Sequence, residues 1–291
     1  MLSLEGMPPQ LGQLSSLQTL SCFVVGKARV SGVKEMGPVN LLRGTLCLSR
    51  LENVSDVEDA RQADLMRKEG LDALQLEWSG RGEKEPDVLD MLKPHRNLKE
   101  LTIKGYGGLE LPSWICNPIL SVLVLLRLEN CNNCRLLPQL GQLPSLKELF
   151  IRGMSQVKSV GVEFYGEGTL SFPVLENLVF EDMQQWKGWF PCEEGEEDQI
   201  GVFPSLKMLS VIRCPQLVVS VLNYTQLCAL QVHDCYGVVF RGAVDFELLE
   251  HMYLSNLSVL RLEIEKSAEC MRGFRNVKGL GITNSEESSS S

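Results

Sequence analysis

The sequence predicts an α/β solenoid of about eleven turns. In it, a curved parallel sheet lines the concave face, and irregular or short helical connections form the convex side. Three observations lead to this prediction. A twelve-residue segment recurs almost unchanged 129 residues further along the chain. An apolar pattern, L-x-x-L-x-L, recurs along most of the length. The composition, with 44% apolar and 22% charged residues, is that of a folded globular chain rather than a disordered one.

The recurring segment is PQLGQLSSLQTL at residues 9–20 and PQLGQLPSLKEL at residues 138–149, which agree at nine of twelve positions. Shorter echoes are FPVLENL from Phe172 and FPSLKML from Phe203. Each copy leads into the L-x-x-L-x-L pattern. Self-similarity of this kind is the sequence signature of a repeat architecture.

The central leucine of the pattern falls at positions 20, 46, 74, 101, 126, 149, 178, 209, 230 and 280. One further turn lies near residues 249–262, where either LEHMYL or LSVLRL fits. The steps of 21 to 31 residues lie within or close to the period of leucine-rich repeats. In a short strand alternate residues face the core, and stacked turns bury what one turn cannot. We therefore expect a horseshoe-shaped leucine-rich-repeat domain over residues 1–284.

A few segments depart from this period. Residues 55–70 predict a helix, because Ser55 and Glu58 fit a capping box and Arg67 and Lys68 stand in the last turn. Residues 87–92 predict a shorter helix of the same kind. The stretch 191–201 holds five carboxylates within six residues and predicts a solvated acidic loop. Residues 285–291 are serine-rich and predict a disordered tail.

Composition and charge exclude several functional classes. The net charge of −9 disfavours nucleic acid as a partner, because such proteins need a basic patch. The longest apolar run, residues 119–126, is far shorter than the ~18 residues that a membrane span needs. The first ten residues lack the basic and apolar regions of a secretory signal. We therefore expect a cytoplasmic chain without a membrane span.

Ten cysteines are spread over the chain, which favours reduced thiols over a disulfide framework. Cys131 and Cys134 have the spacing of a zinc knuckle, but no second pair follows, so we expect no metal site. Cys131, Cys214 and Cys235 each come three residues after the last leucine-type residue of a strand, which is Leu128, Val211 or Val232. At that position leucine-rich repeats use Asn or Cys to satisfy backbone groups, so we expect structural thiols there.

Catalytic groups do not form a recognisable pattern. The three histidines, His95, His233 and His251, are scattered, and no Ser-His-Asp or Cys-His arrangement follows from spacing. Repeat solenoids seldom carry catalysis themselves. We expect a protein that is not an enzyme and that needs no cofactor.

The outward residues of aligned strands form columns, which predicts what the concave face displays. One column alternates in charge over five strands, from Glu77 to Glu181. A ladder of opposite charges on adjacent strands or a partner's footprint would each explain it. Beside it, apolar side chains with a charged rim predict a protein-binding surface. Its residues are Leu125, Arg127, Phe150, Arg152, Val179, Glu181, Met208 and Ile212. We expect Phe150, with Arg127 and Arg152, to be its interaction hot spot.

Several long segments resemble a known family. They include MPPQLGQLSSLQTLSCFVVGK, LLRGTLCLSRLENVSDVEDARQADLMRKEGLDALQLEW, LENCNNCRLLPQLGQLPSLKELFIRGM and FPSLKMLSVIRCPQL. From about residue 7 to 217 the chain resembles the leucine-rich-repeat region of the coiled-coil class of nucleotide-binding (NB-ARC) disease resistance proteins of plants. The resemblance implies a recognition module in plant defence and innate immunity. Its expected partner is a pathogen effector or a guarded host protein, and it would hold an intramolecular nucleotide-binding domain in an autoinhibited state.

The chain also departs from that family. Residues 24–28 hold the only Gly-Lys that might suggest a phosphate-binding loop. Ser21 stands where the loop's first glycine belongs, and Ala28 stands where its hydroxyl belongs. The nucleotide chemistry of the family is therefore not expected here, and the chain resembles a fragment or truncated product.

Two alternatives stay open. Sequons at Asn53, Asn223 and Asn256 would suit an extracellular leucine-rich-repeat receptor ectodomain. The uneven repeat length, and cysteines whose spacing suggests no disulfides, argue against it. A substrate-binding arm of a ubiquitin ligase would need an adaptor-binding motif upstream, and none is visible.

Overall fold

In the part of the chain that the structure describes, eleven parallel strands form one continuous sheet. The computed structural model describes residues 4–27, 32–54, 56–79, 86–166, 170–189, 202–221, 224–241, 248–263 and 276–283. The strands are β1 Cys22–Val24, β2 Arg43–Ser49, β3 Gly70–Glu77, β4 Glu100–Lys104, β5 Leu125–Glu129, β6 Glu148–Arg152, β7 Ser159–Val160, β8 Asn177–Glu181, β9 Gly188–Trp189, β10 Met208–Ile212, β11 Val218–Val221, β12 Ala229–His233, β13 Gly237–Arg241, β14 His251–Ser255, β15 Val259–Glu263 and β16 Gly279–Thr283. The sheet runs β1-β2-β3-β4-β5-β6-β8-β10-β12-β14-β16.

The register of this sheet confirms the predicted solenoid. The central residues lie side by side: Leu46, Leu74, Leu101, Leu126, Leu149, Leu178, Leu209, Leu230, Met252 and Leu280. Leu46, Leu101, Leu126, Leu149 and Leu178 are fully buried. Near residues 249–262 the main sheet takes LEHMYL, since Met252 pairs with Leu230, whereas LSVLRL enters β15 of another sheet.

The first turn follows a different register from the one predicted. Phe23 pairs with Leu48, so Leu20 does not occupy the central position. Phe23 and Val25 are buried, whereas Leu20 stays partly exposed. Burying the aromatic ring removes more apolar surface from water than burying Leu20, which favours the shift by one residue.

The connections between main strands are more regular than expected. A second parallel sheet, β11-β13-β15, joins the later turns, and a smaller one pairs β7 with β9. Residues of β-branched and aromatic type, such as Val219, Val221 and Phe240, are buried there. These side chains favour strand geometry, so the connections pair with one another in a second parallel sheet instead of remaining irregular.

A row of aromatic side chains fills the interior between successive turns. Phe172 lies 5.0 Å from Phe164 and 5.0 Å from Phe203, measured between ring centroids. Trp189 donates from Nε1 to the Tyr165 hydroxyl at 2.5 Å. Contacts of this kind add to the area that each ring buries. The interior is therefore continuous from turn to turn.

The helix predicted over residues 55–70 is shorter in the structure. Helix α1 spans Val57–Gln62, and Asp56 caps it by accepting from the Glu58 N–H at 2.9 Å. Asp64 then adopts a left-handed φ of 47°, and a 3-10 turn follows at Leu65–Arg67. A left-handed residue cannot continue an α-helix, which explains the early end. Ser55 lies outside the described residues.

Two further helices lie in the connections. Helix α2, Pro86–Met91, confirms the short helix predicted at residues 87–92, and α3 is the single turn Val162–Tyr165. The acidic stretch 191–201 and the tail 285–291 lie outside the described residues. Within the described part of the chain, no helix has the length and apolar character that crossing a bilayer requires.

Lys68 is a fully buried cation that ties one turn to the turn before it. Its ammonium donates to the carbonyl oxygen of Met36 at 2.7 Å and to that of Val39 at 3.3 Å, and also to Oδ1 of Asn40 at 3.3 Å. Burial lowers the pKa of Lys68 to about 8, and Asp64 opposes that change. The three acceptors supply the hydrogen bonds that a buried ammonium requires.

Candidate functional site on the concave face

The main sheet places all eight predicted binding residues on one face. Three outward columns run across neighbouring strands β5, β6, β8 and β10. They are Leu125, Glu148, Asn177 and Met208; Arg127, Phe150, Val179 and Ser210; and Glu129, Arg152, Glu181 and Ile212. Leu125, Phe150, Val179, Met208 and Ile212 are all partly exposed. The alternation of side chains along each strand therefore assembles the predicted apolar patch.

Arg127 and Phe150 form the centre of this surface. The guanidinium carbon of Arg127 lies over the Phe150 ring, 4.2 Å from its centroid. An arginine over an aromatic face is held by the ring quadrupole, which orients both side chains. The pair therefore forms an ordered aromatic and cationic contact on the outward face of the sheet.

Glu181 is held from two sides by arginines. Nε of Arg152 donates to its Oε2 at 2.5 Å, and Arg213 binds its other oxygen. Arg213 also donates to both oxygens of Asp182, at 2.6 and 2.9 Å. These bonds hold the pKa of the Asp182 carboxyl below its usual range and raise the pKa of Arg213. Glu181 is nearly buried, so Arg152 and Glu181 brace the surface more than they offer it to a partner.

Arg213 is the residue that sequence reasoning missed. It follows β10 directly and has a left-handed φ of 52°. The residue after the strand adopts the same conformation in other turns, as at Asn130, Asp182, Asp234 and Asn256. Asn and Asp tolerate this conformation, whereas an arginine there is strained. The residue that directly follows a strand recurs in the sequence at repeat spacing, and this recurrence could have identified Arg213.

The charge ladder predicted along the concave face is present in part. Lys104 pairs with Glu77 at 2.7 Å, and Arg152 pairs with Glu181. A second ladder lies just before the strands, where Glu176 contacts Lys207 at 2.7 Å and Lys147 at 3.3 Å. The exposed lysine pairs contribute little stability. These pairs do neutralise part of the charge around the apolar patch.

A histidine network lies toward the later turns of the same face. Nδ1 of His233 lies 2.5 Å from Oγ of Ser255, and its Nε2 lies 2.9 Å from Oδ2 of Asp234. Asn256 in turn donates to Oδ1 of Asp234 at 2.6 Å. Sequence spacing did not predict these contacts. They connect the ends of β12 and β14, so the network fastens two neighbouring turns.

The cysteines expected to be structural are buried in the turns. Cys131, Cys214 and Cys235 each donate a thiol hydrogen to a backbone carbonyl two residues earlier, at 3.4 to 3.7 Å. Burial raises the pKa of Cys131, and it raises that of Cys134 to about 12. Protonated, buried thiols are poor metal ligands. In the part of the chain that the structure describes, no group of three or more metal-ligating side chains comes together.

Comparisons with known proteins point to one family. A family model described as R13L1/DRL21 leucine-rich repeats matches residues 33–154. The chain is 34% identical to a putative disease resistance RPP13-like protein 1 of Arabidopsis thaliana, over 87% of this chain and 25% of that protein. It is 34% identical to a putative disease resistance protein RGA1 of Solanum bulbocastanum, over 97% of this chain and 28% of that protein. The chain thus spans about a quarter of the length of these relatives.

A solved structure shares the fold. The leucine-rich repeat domain of the type III effector XopL superposes with a TM-score of 0.54 at 18% identity, covering 94% of this chain and 79% of that one. This likeness bears on the fold alone, which is a curved leucine-rich-repeat solenoid.

Proposed function

This chain is a leucine-rich-repeat protein related to plant disease resistance proteins, and we propose that it recognises a pathogen effector, directly or through a guarded host protein. Leucine-rich-repeat folds are typically interaction modules rather than enzymes. The proposed recognition surface is the concave patch around Phe150. We propose that this recognition takes place in the cytoplasm.

The single observation that supports this site is the shared face of the apolar patch and its braced charges. Leu125, Phe150, Val179, Met208 and Ile212 lie together and are partly exposed. The neighbouring carboxylate Glu181 is already neutralised by two arginines. A partner would therefore gain apolar contact area beside a carboxylate whose charge is already compensated, and apolar area is typical of the centre of a protein interface.

We further propose that the same region restrains a nucleotide-binding domain in a full-length receptor. An effector that binds only one arrangement of the repeats would shift the population of the receptor away from the restrained state. This step needs segments beyond the present chain, because the chain spans about a quarter of its relatives.

Hydrogen bonds at two of the three sequons argue against the extracellular alternative. The amide of Asn53 donates to the carbonyl oxygen of Val25 at 2.9 Å, and the amide of Asn256 donates to Asp234 at 2.6 Å. A glycan on either nitrogen would replace one of its two hydrogens and place a bulky sugar beside a contact within the solenoid. Asn223, the third sequon, lies outside the described residues. No observation favours the ubiquitin-ligase alternative.

The test measures the affinity of candidate pathogen effectors for the wild-type chain and for the variants Phe150→Ala and Arg127→Ala. A central anchor typically contributes 2 kcal/mol or more, so we expect Phe150→Ala to weaken binding by about thirtyfold. Arg152 is a poor probe, because its removal leaves Glu181 with one arginine fewer.

The matched control is Leu109→Ala. Leu109 is 56% exposed and lies in a connection after β4, away from the patch. We expect this variant to bind as the wild type does. Unchanged affinity in Phe150→Ala together with lost affinity in Leu109→Ala would place recognition on another surface.

A further inference from the structure

Cys22 and Cys47 are direct neighbours at the outward face of the first two turns. They are lateral partners in the parallel pairing of β1 and β2, and both are partly exposed free thiols. Neighbouring strands lie about 4.8 Å apart, and disulfides form when Cα atoms are roughly 4.4–6.8 Å apart. The backbone therefore holds these two cysteines at a separation that a disulfide can bridge.

We propose that Cys22 and Cys47 are a site of oxidative modification, where hydrogen peroxide converts the two thiols into a disulfide that joins the first two turns. In the first step the Cys22 sulfur attacks one peroxide oxygen, the O–O bond breaks, and water leaves. In the second step the Cys47 sulfur attacks the sulfenic acid on Cys22, the S–O bond breaks, and a second water leaves. Two thiols thus give two electrons and two protons to one peroxide, and the products are one disulfide and two waters.

The surroundings assign the two roles. Cys22 Sγ lies 3.6 Å from the Ser49 hydroxyl, which can donate to it. Burial and the neighbouring Cys22 raise the pKa of Cys47 to about 12, so Cys47 ionises less readily than an ordinary thiol. The nucleophile is the thiolate form. We assign the first step to Cys22, whose sulfur the Ser49 hydroxyl can stabilise, and the second step to Cys47, which gives up its proton as it attacks the sulfenic acid.

The other described cysteines differ from this pair. Cys131, Cys134, Cys214 and Cys235 are buried, which removes them from a dissolved oxidant. Cys116 and Cys228 are partly exposed, but each thiol donates to a carbonyl of its own turn, that of Ser113 and that of Gln226. The pair in the first two turns therefore combines access with a partner of fixed position.

The experiment oxidises the native chain and locates the bond by mass. The protein is freed of reductant, treated with hydrogen peroxide at pH 8, blocked with iodoacetamide and digested with trypsin without reduction. Cleavage after Lys27, Arg43 and Arg50 places the two cysteines in peptides 1–27 and 44–50. We expect a linked product of these two peptides, 2 Da lighter than their sum because a disulfide lacks two hydrogens.

Variants and a denatured sample make the result decisive. Cys22→Ser and Cys47→Ser should each abolish the linked product, whereas Cys116→Ser should keep it. In oxidised wild-type protein, amide exchange in β1 should slow several-fold, because the bond opposes opening of the first turn. The proposal is overturned if peroxide yields only sulfinic acid or intermolecular dimers. It is also overturned if the link forms as readily in urea as in the native chain.

Discussion

Gly141 offers a sharp test of how closely the turns stack. It lies in the 3-10 turn Leu140–Gln142 of the second PQLGQL copy, where a methyl group would stand 1.9 Å from the carbonyl oxygen of Tyr165. Gly12 holds the equivalent position in the first copy, where the methyl would stand 2.9 Å from the carbonyl oxygen of Glu35. Two nearly identical sequences therefore face different constraints.

The expected cost follows from these two distances. An ordinary carbon–oxygen contact is about 3.3 Å, so Gly141→Ala must push the next turn away by about 1.4 Å and Gly12→Ala by about 0.4 Å. Overpacking of a rigid interior costs about 1–3 kcal/mol, and more when backbone must move. We expect Gly141→Ala to lose about 3 kcal/mol or more. Gly12→Ala should lose less than about 1 kcal/mol, since alanine also restricts the unfolded chain.

Urea unfolding followed by circular dichroism measures both variants under the same conditions. Phe172 in the next turn donates its N–H to the Gly141 carbonyl at 2.8 Å, so a displaced turn should also lose amide protection near Phe172. Losses that agree within about 0.5 kcal/mol would refute the argument, because the sequences match and only the stacking differs.

Three further predictions concern the core, the arginine clasp and the buried lysine. Leu149→Ala should lower the free energy of unfolding by about 2–5 kcal/mol and Phe150→Ala, one residue on, by less than about 1, as urea titration will show. Glu181→Gln should cost about 1–2 kcal/mol, and a double-mutant cycle with Arg213→Ala should return a favourable coupling; additive losses would contradict it. Burial lowers the pKa of Lys68 from 10.5 to about 8, so between these values the unfolded chain binds more protons. Wild-type stability relative to Lys68→Met should therefore rise from pH 8 to 10.5, and a flat difference would exclude this.

The solenoid could be predicted because its leucines are periodic and their burial is unambiguous. From Leu46 to Leu280 the predicted central positions lie side by side in the sheet. The first turn could not be assigned in the same way. There Leu20, Cys22 and Val24 compete with Phe23 and Val25 for the inward face, and the template favoured the wrong set. Side-chain volume, which a pattern of apolar letters ignores, decided the register.

Helix ends and sheet connections depend on local conformation that periodicity does not report. Asp64 ends the first helix by turning left-handed, although the residues after it continue a plausible helical pattern. The valines of β11 and β13 carried a strand signal, but their pairing needs three turns in register, which only the fold provides. The connections were therefore predicted as less ordered than they are.

The candidate surface was predicted as a set of positions and not as a set of contacts. Alternation along strands was enough to place Phe150 beside Arg127 and Val179. The clasp around Glu181 was not foreseen, because Arg213 lies one residue beyond its strand. Long side chains reach across turns, and their partners depend on backbone direction after the strand.

Distances between spin labels on one outward column test the parallel ladder most directly. Bioorthogonal labels at residues 75 and 179, and at 75 and 231, leave the native cysteines in place. These pairs are separated by four and six strand steps. Their Cα–Cα distances are therefore at most about 19 and 29 Å, and curvature of the sheet shortens both. A stacked parallel ladder predicts two narrow distance distributions, the shorter one for residues 75 and 179. Equal distances, or a shorter one for residues 75 and 231, would contradict the stacked solenoid on which the proposed recognition surface depends.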